Sequence, residues 1–275
     1  MYRRFVLDER RKIYYNMYRN KHSHKRGFEK KEVFVLKTNQ FVTVIVAAAG
    51  GGTRMGGVCK PLIKIDGREA LLYSLDLFCS FDRVKTVVIS VRKEDEELFR
   101  ALVEKENYPK EIIFAHGGDT RQQSVLNAFK AAFSGRKQTK FVAVHDAARP
   151  LLTKEYFENA LDIASKYGNA VCACRARDTF KRSDKKDLIC ESVDRENLWQ
   201  IQTPQIFDTD MFHTSLALAQ KNGTDATDES SLVKDAGFLV KLCECGADNL
   251  KLTYPEDAAI AQAIMQLRRE KEEKA

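Results

Sequence analysis

The chain has 275 residues, 44% hydrophobic and 31% charged, with a formal net charge of +7. Its longest apolar runs are strand-sized, which excludes membrane-spanning helices, and its hydrophobic content is too high for a disordered chain. The charge is confined to one end: residues 1–40 carry 12 Lys/Arg against 4 Asp/Glu, leaving −1 over the rest, so the body is not built for nucleic acid.

In residues 1–40, Arg3, Arg4, Arg10, Arg11 and Lys12 are interspersed with Tyr2, Tyr14, Tyr15 and Tyr18. The segment lacks an apolar signal-peptide core, and its few serines, with Asp8 and Glu9, fit an organellar transit peptide badly. It reads as a solvated extension ahead of a single domain over 41–275, with Met17 as an alternative start. A nucleic-acid arm is the competing reading and would show affinity that falls steeply with salt.

The apolar run Phe41–Val46 predicts a buried strand. It leads into Ala47-Ala48-Ala49-Gly50-Gly51-Gly52-Thr53-Arg54-Met55-Gly56-Gly57, whose last eight residues hold five of the chain's 14 glycines. Exposed backbone N–H groups in such a turn form a concavity for anions, and Arg54 and Lys60 add positive charge, so a phosphate chain is the expected ligand. The loop has neither the Gly-Lys-Ser/Thr of a P-loop nor the third glycine of a dinucleotide fingerprint, where Met55 stands. A glycine-rich turn that binds nothing is the plain alternative.

Further on, the spacing predicts a helix over Glu69–Phe81, a strand over Val84–Val91, a helix over Glu94–Asn107 and a short strand over Glu111–Ala115. Thr120 and Gln123 suggest a capping box for a helix running to Phe133. A strand over Phe141–Val144, a helix over Lys154–Tyr167 and a strand over Ala170–Cys174 follow. This alternation gives an α/β, doubly wound, mostly parallel sheet. The rhythm breaks at 175–200, where two extended runs around Ser183–Asp187 predict a protruding β-hairpin arm seeking a partner. Helices near Thr209–Lys221 and Thr227–Asp235, strands over Phe238–Cys243 and Asn249–Leu252, and a closing helix capped by Thr253 and Glu256, frayed from Arg268, complete the chain.

The seven cysteines include no Cys-x-x-Cys pair but two Cys-x-Cys pairs, Cys172/Cys174 and Cys243/Cys245. A four-thiolate zinc site and buried free thiols are both open. The absence of a disulfide framework points to the cytosol.

Ligands of open α/β sheets sit at the carboxyl ends of the strands. The loops expected there supply Arg54, Lys60, Gly118, Asp119, Arg121, Ser124, Asp146, Arg149 and Lys251, many cations around one well-placed acid. Such a set suits a divalent metal held by one carboxylate and the substrate's phosphates, and hence transfer of a phosphorus centre. The plainer reading of Asp146 is a cap or turn residue, and His145 reads as structural.

Eight blocks in order resemble the 2-C-methyl-D-erythritol 4-phosphate cytidylyltransferases over about residues 42–267. They are Ala48-Ala49-Gly50-x-Gly52-x-Arg54-Met55, Gly117-Gly118-Asp119-x-Arg121-x-x-Ser124-Val125, Val144-His145-Asp146-Ala147-Ala148-Arg149-Pro150, Arg177-Asp178-Thr179, Val193-Asp194-Arg195, Gln202-Thr203-Pro204-Gln205-x-Phe207, Thr227-Asp228-Glu229, and Asn249-x-Lys251-x-Thr253 before Pro255-Glu256-Asp257. The resemblance implies a nucleotide-diphospho-sugar transferase-like fold and attack of a sugar-alcohol phosphate on the α-phosphorus of CTP, with release of pyrophosphate. It implies that Arg54 and Lys60 stabilise the transition state, that Arg195 and Lys251 orient the attacking phosphate, and that Asp146 holds Mg²⁺. It implies a CTP site at Ala48, Ala49, Gly50, Gly52, Gly118, Asp119 and Ser124, and an alcohol pocket at Ala147, Arg149, Thr179 and Thr203. It also implies a homodimer through the arm. The order Cys59-Lys60-Pro61 departs from the family's usual Pro-Lys, with Lys64 as the fallback lysine. A pentitol-phosphate cytidylyltransferase, such as one using ribitol 5-phosphate, and a catalytically inactive nucleotide-binding regulator are the alternatives.

Overall fold

The apolar run after Gln40 becomes β1 (Val42–Ala47), an inner strand of a seven-stranded sheet. In the computed structural model, residues 40–50 and 59–274 are described, all within the unit Asn39–Ala275. Residues 1–39, nearly all of the expected extension, and residues 51–58, with Gly52 and Arg54, lie outside the described residues.

Besides β1, the sheet contains β4 (Val84–Val91), β5 (Glu111–His116), β6 (Phe141–Asp146), β7 (Asn169–Arg175), β10 (Trp199–Asp208) and β11 (Leu242–Glu244). Their order is β11-β7-β10-β6-β1-β4-β5, with β10 antiparallel to both neighbours and every other pairing parallel. Two short strands, β2 (Lys64–Ile65) and β3 (Arg68–Glu69), pair with each other outside it.

Parallel strands covered on both faces read as continuous apolar runs, because alternate side chains must all be buried. Val44 and Val46 of β1 enter one core with α1 (Ala70–Cys79), α2 (Glu96–Glu104) and α4 (Lys154–Tyr167); Ile45 enters another with α3 (Arg121–Phe133), α5 (Thr209–Asn222) and α6 (Glu229–Asp235). A third cluster holds α7 (Asp257–Glu272) through Ala261, Ala148, Leu151 and Leu252. Four helices begin with side-chain caps that satisfy otherwise unpaired N–H groups: Thr120 for α3, Thr153 for α4, Asp208 for α5 and Asp228 for α6. The Thr120 cap is only half a box, since the Gln123 side chain donates to Asn127 instead.

The arm is present as β8 (Phe180–Ser183) paired with β9 (Ile189–Val193), shorter than the stretch expected at 175–200. It exposes Phe180, Leu188 and Ile189.

Four expectations need correction. Residues 199–208 form a full strand, β10, slotted between β6 and β7 with a register shift between Ile201 and Gln205. The strand expected over Phe238–Cys243 is confined to Leu242–Glu244. Asn249–Leu252 is not a strand, because its backbone bonds go to Arg149 and Ala148 rather than to a ladder. The Thr253/Glu256 box does not form: Asp257 Oδ2 accepts from the N–H groups of Thr253 and Tyr254, so α7 starts later, and Arg268 is held by Leu151 O and Asp248 rather than frayed.

The end of β6 is locked from below. His145 is fully buried, with Phe78 edge-on at 5.2 Å, and Phe78 meets Phe157 at 5.1 Å. A carbonyl can only accept, so the His145 Nε2–H donates to Arg149 O (3.1 Å), and Nδ1 accepts from Thr203 Oγ1 (3.1 Å). Burial, against the favourable charge of Asp146, pushes the imidazole down to about 4.

Between pH 6.5 and 4 the unfolded chain therefore takes up a proton that the folded chain refuses, and stability falls as pH falls, by on the order of 3 kcal/mol across that window. Urea unfolding in metal-free buffer should show this slope, and His145→Asn should flatten it; an unchanged slope in that variant would contradict the assignment. Phe78→Ala should cost about 3–5 kcal/mol in the same measurement, and a loss below about 1 kcal/mol would mean the core refills the space.

Candidate active site

The strand order reverses at β1, which has β4 on one flank and β6 on the other. Loops leaving such a switch point diverge and leave a crevice. Here it is a cleft of about 340 Å³ lined by Ala48–Gly50, Lys60, Gly118–Arg121, Ser124, Asp146 and Lys251.

One wall is backbone. Ala48 N donates to Ser90 O and Gly117 N to Val91 O, both at 2.8 Å, so the loops after β1 and β5 are extensions of the ladder on either side of β4. A Cβ on Gly117 would lie 2.6 Å from Ala49 Cβ, and one on Gly118 would lie 2.2 Å from Gln123 Cγ. Only glycine lets this loop lie against Ala49 and the first turn of α3. The Ser124 hydroxyl accepts from Gly118 N and donates to Thr120 O, each at 3.0 Å, so it shapes the loop. Asp119 stands exposed at the rim.

The facing wall is charged. Lys60 begins a single 3-10 turn, Lys60–Leu62, whose second residue is Pro61, and it lines the cleft despite the shifted order of lysine and proline. Asp146 closes β6 with Oδ2 at 2.7 Å from Lys251 Nζ and Oδ1 at 3.1 Å from Arg121 Nη2. Burial alone would raise its carboxyl; Arg121 and Lys251 outweigh burial and hold it well below the usual carboxylate range. Arg121 also pairs with the buried Glu229 at the start of α6. Burial raises the Glu229 carboxyl, with Arg121 opposing, and its Oε2 has no hydrogen-bond partner.

Lys251 reaches Asp146 because Leu252 N donates to Ala148 O at 2.8 Å, laying the segment after β11 beside the β6 loop. Asn249 fixes that segment from inside: its Nδ2 donates to Thr203 O (2.9 Å) and Gln202 Oε1 (3.1 Å), and its carbonyl accepts from Arg149 Nη1 (2.7 Å). Thr203 Oγ1 accepts from Asp146 N at 3.0 Å while its own proton goes to His145.

The structure thus gathers Ala48, Ala49, Gly50, Lys60, Gly118, Asp119, Ser124, Asp146 and Lys251 around one cleft. Four residues expected in the alcohol pocket do not line this cleft. Ala147 is fully buried with its N–H on Ala47 O; Thr203 is 3% exposed with its hydroxyl committed to the β6 end. Arg149 is buried against the Asn249 carbonyl, with no hydrogen-bond partner on Nε. Thr179 is exposed at the root of the arm, and Arg195, also on the arm, donates to Arg177 O. Neither lines the cleft of its own chain. Arg121 and Glu229 carry more of the site than their motifs indicated, since a pair 108 residues apart leaves no local sequence signal.

Chemically, a cation-rich cleft with one ionised acid and a wall of backbone donors suits a polyphosphate. Its lining of cations, one acid and backbone groups offers electrostatics and positioning.

Comparison with known proteins agrees. Residues 42–267 match the family described as 2-C-methyl-D-erythritol 4-phosphate cytidylyltransferase. The chain is 34% identical over 226 residues to the protein of that name from Caldanaerobacter subterraneus, covering 82% of this chain and 98% of that one. It is 36% identical over 222 residues to the Haemophilus influenzae protein of that name, covering 80% and 95%. The crystal structure of 4-diphosphocytidyl-2C-methyl-D-erythritol synthase from Anaerococcus prevotii superposes with a TM-score of 0.73 at 27% identity, covering 83% of this chain and 97% of that one. The chain belongs to the 2-C-methyl-D-erythritol 4-phosphate cytidylyltransferase family.

Proposed function

We propose that this chain transfers the cytidylyl group of CTP to 2-C-methyl-D-erythritol 4-phosphate, giving 4-diphosphocytidyl-2-C-methyl-D-erythritol and pyrophosphate in isoprenoid precursor synthesis. The observation that carries this reading is the 2.7 Å pairing of Lys251 with Asp146 inside a cleft that also holds Lys60 and the Ala48–Gly50 backbone. A phosphate oxygen of the alcohol attacks the α-phosphorus; that P–O bond forms as the bond to pyrophosphate breaks, with no enzyme-bound intermediate.

Negative charge grows on the α-phosphoryl oxygens during the attack, so cations fixed beside it stabilise the transition state more than the ground state. We assign this role to Lys60 and to Arg54. Lys251 holds Asp146 from its solvent side and is free enough, at 38% side-chain exposure, to turn toward the attacking phosphate. The Gly118 loop and Ala48–Gly50 offer backbone groups to the cytosine and ribose. Arg149 and Thr203 set the alcohol end of the site, Arg149 as a buried cation and Thr203 by holding the Asp146 backbone.

Mg²⁺ suits this donor set. Asp146 is a hard, ionised carboxylate with lone pairs beyond those used by Arg121 and Lys251, and phosphate oxygens and water would complete the coordination. Bound there, the ion would neutralise charge on the triphosphate.

Arg195 and Thr179 sit on the exposed arm, whose Leu188 and Ile189 are apolar. Their assigned roles require the arm to enter the cleft of a second copy, so the working form we propose is a homodimer. Seven free cysteines favour a reducing cytosol.

Pyrophosphate release should require CTP and methylerythritol phosphate together with Mg²⁺; faster release with ribitol 5-phosphate would move the assignment to the pentitol enzymes, and no release with any alcohol phosphate would favour an inactive regulator. Lys251→Ala should lower kcat by about 10²–10³-fold at a smaller cost in stability, because Arg121 and Arg149 still face the buried Asp146 carboxylate. Arg121→Met should instead cost about 3–5 kcal/mol in unfolding, since it strands the buried Glu229. If thermal and kinetic measurements reverse that contrast, the two roles are exchanged.

A further inference from the structure

Away from the cleft, the two Cys-x-Cys pairs meet across the β7–β11 ladder. Cys172 of β7 stands in register with Cys243 of β11, and Cys245 N continues the ladder by donating to Ala173 O at 2.8 Å. The sulfurs of Cys172, Cys243 and Cys245 all lie within 4.8 Å of one another. All three residues are buried, and they belong to the core packed beneath α4 with Phe157, Ala160 and Leu161. Cys174, the fourth member expected from sequence, takes no part: its thiol donates to Gln200 Oε1 across β10.

Cys243 and Cys245, two residues apart along one extended segment, share a face, and Cys172 lies opposite Cys243, so the ladder brings the three sulfurs together. Three sulfurs bound to a common zinc ion at about 2.3 Å stand roughly 3.8–4.0 Å apart, so this trio, within 4.8 Å, reaches that spacing with about 1 Å of movement at most. The donors are soft and carry no competing carboxylate or imidazole in the cluster, which selects thiophilic cations over magnesium or calcium.

We propose that Cys172, Cys243 and Cys245 form a three-thiolate site for one thiophilic divalent cation of the zinc and cadmium class, distinct from the Asp146 site. Binding exchanges the three thiol protons for the cation and leaves its remaining coordination position to a small non-protein ligand. The site is structural: Cys243 and Cys245 immediately precede the segment that carries Asn249 and Lys251, and the cation would pin the start of that segment to β7.

The test uses the full-length chain, reduced and stripped with a chelator. Titration with Cd²⁺ should raise a thiolate-to-metal charge-transfer absorption that saturates at one ion per chain, a signal that carboxylate sites cannot give. Zn²⁺ should displace the Cd²⁺ and raise the unfolding temperature. Cys243→Ala and Cys245→Ala should each weaken cadmium binding by at least tenfold, while Cys174→Ala and Cys190→Ala leave it unchanged. If the alanine variants do not fold, native mass spectrometry of the unmutated chain decides: one bound zinc supports the site. A folded, reduced chain that stays metal-free in excess zinc overturns it, as does a cadmium signal that survives in the Cys243→Ala variant.

Discussion

Asp146 is the constraint around which the rest of the molecule is arranged. A carboxylate at the end of a fully buried strand stays ionised only if cations are brought to it, because burial by itself favours the neutral acid. Those cations come from distant parts of the chain, Arg121 from the start of α3 and Lys251 from the segment before α7. Arg121 in turn needs Glu229 to balance it, which ties the first turn of α6 into the same network. Electrostatic demand at one atom group thus fixes the relative placement of four elements.

Support for that acid is relayed by neutral hydrogen bonds with no spare capacity. The Asp146 N–H goes to Thr203, the Thr203 hydroxyl to His145, and the His145 Nε2–H to the Arg149 carbonyl. A neutral imidazole serves here because one nitrogen accepts while the other donates; the imidazolium could only donate. Phe78 and Phe157 close the ring off from water, so aromatic packing of α1 and α4 underlies the polar geometry above it.

Much of this was legible in the residues. Predominantly apolar runs marked β1, β4 and β6, and the helix over Lys154–Tyr167 was readable to the residue from its apolar spacing. β10 escaped because Gln200, Gln202, Thr203 and Gln205 look like a loop and Pro204 looks like a break. Its inward polar groups are tolerable only because Asn249 and Gly246 meet them, which no local pattern reveals. Asn249–Leu252 erred the other way: it alternates like a strand, yet its backbone partners are the β6 loop and an arginine. The loop blocks that bring Lys60, Gly118, Asp146 and Lys251 together were visible as motifs. The bridge from Arg121 to Glu229 and the loss of Cys174 from the sulfur cluster depended on side-chain direction, which spacing does not encode.

The place of β10 has a bearing on how the protein emerges from the ribosome. β6 and β7 are not neighbours in the sheet; a strand made some thirty residues after β7 must enter between them, antiparallel to both. Until residue 208 has been synthesised, a nascent chain holding β1, β4, β5 and β6 presents an open sheet edge, and β7 has no lateral neighbour. Edges of that kind invite pairing with other chains. Lys251 arrives later still, so the acid at the end of β6 spends most of translation without one of its three cationic neighbours, Arg121, Arg149 and Lys251. Vectorial synthesis therefore leaves this sheet vulnerable from the middle outward, and a translational pause before β10 is where association with chaperones would matter most.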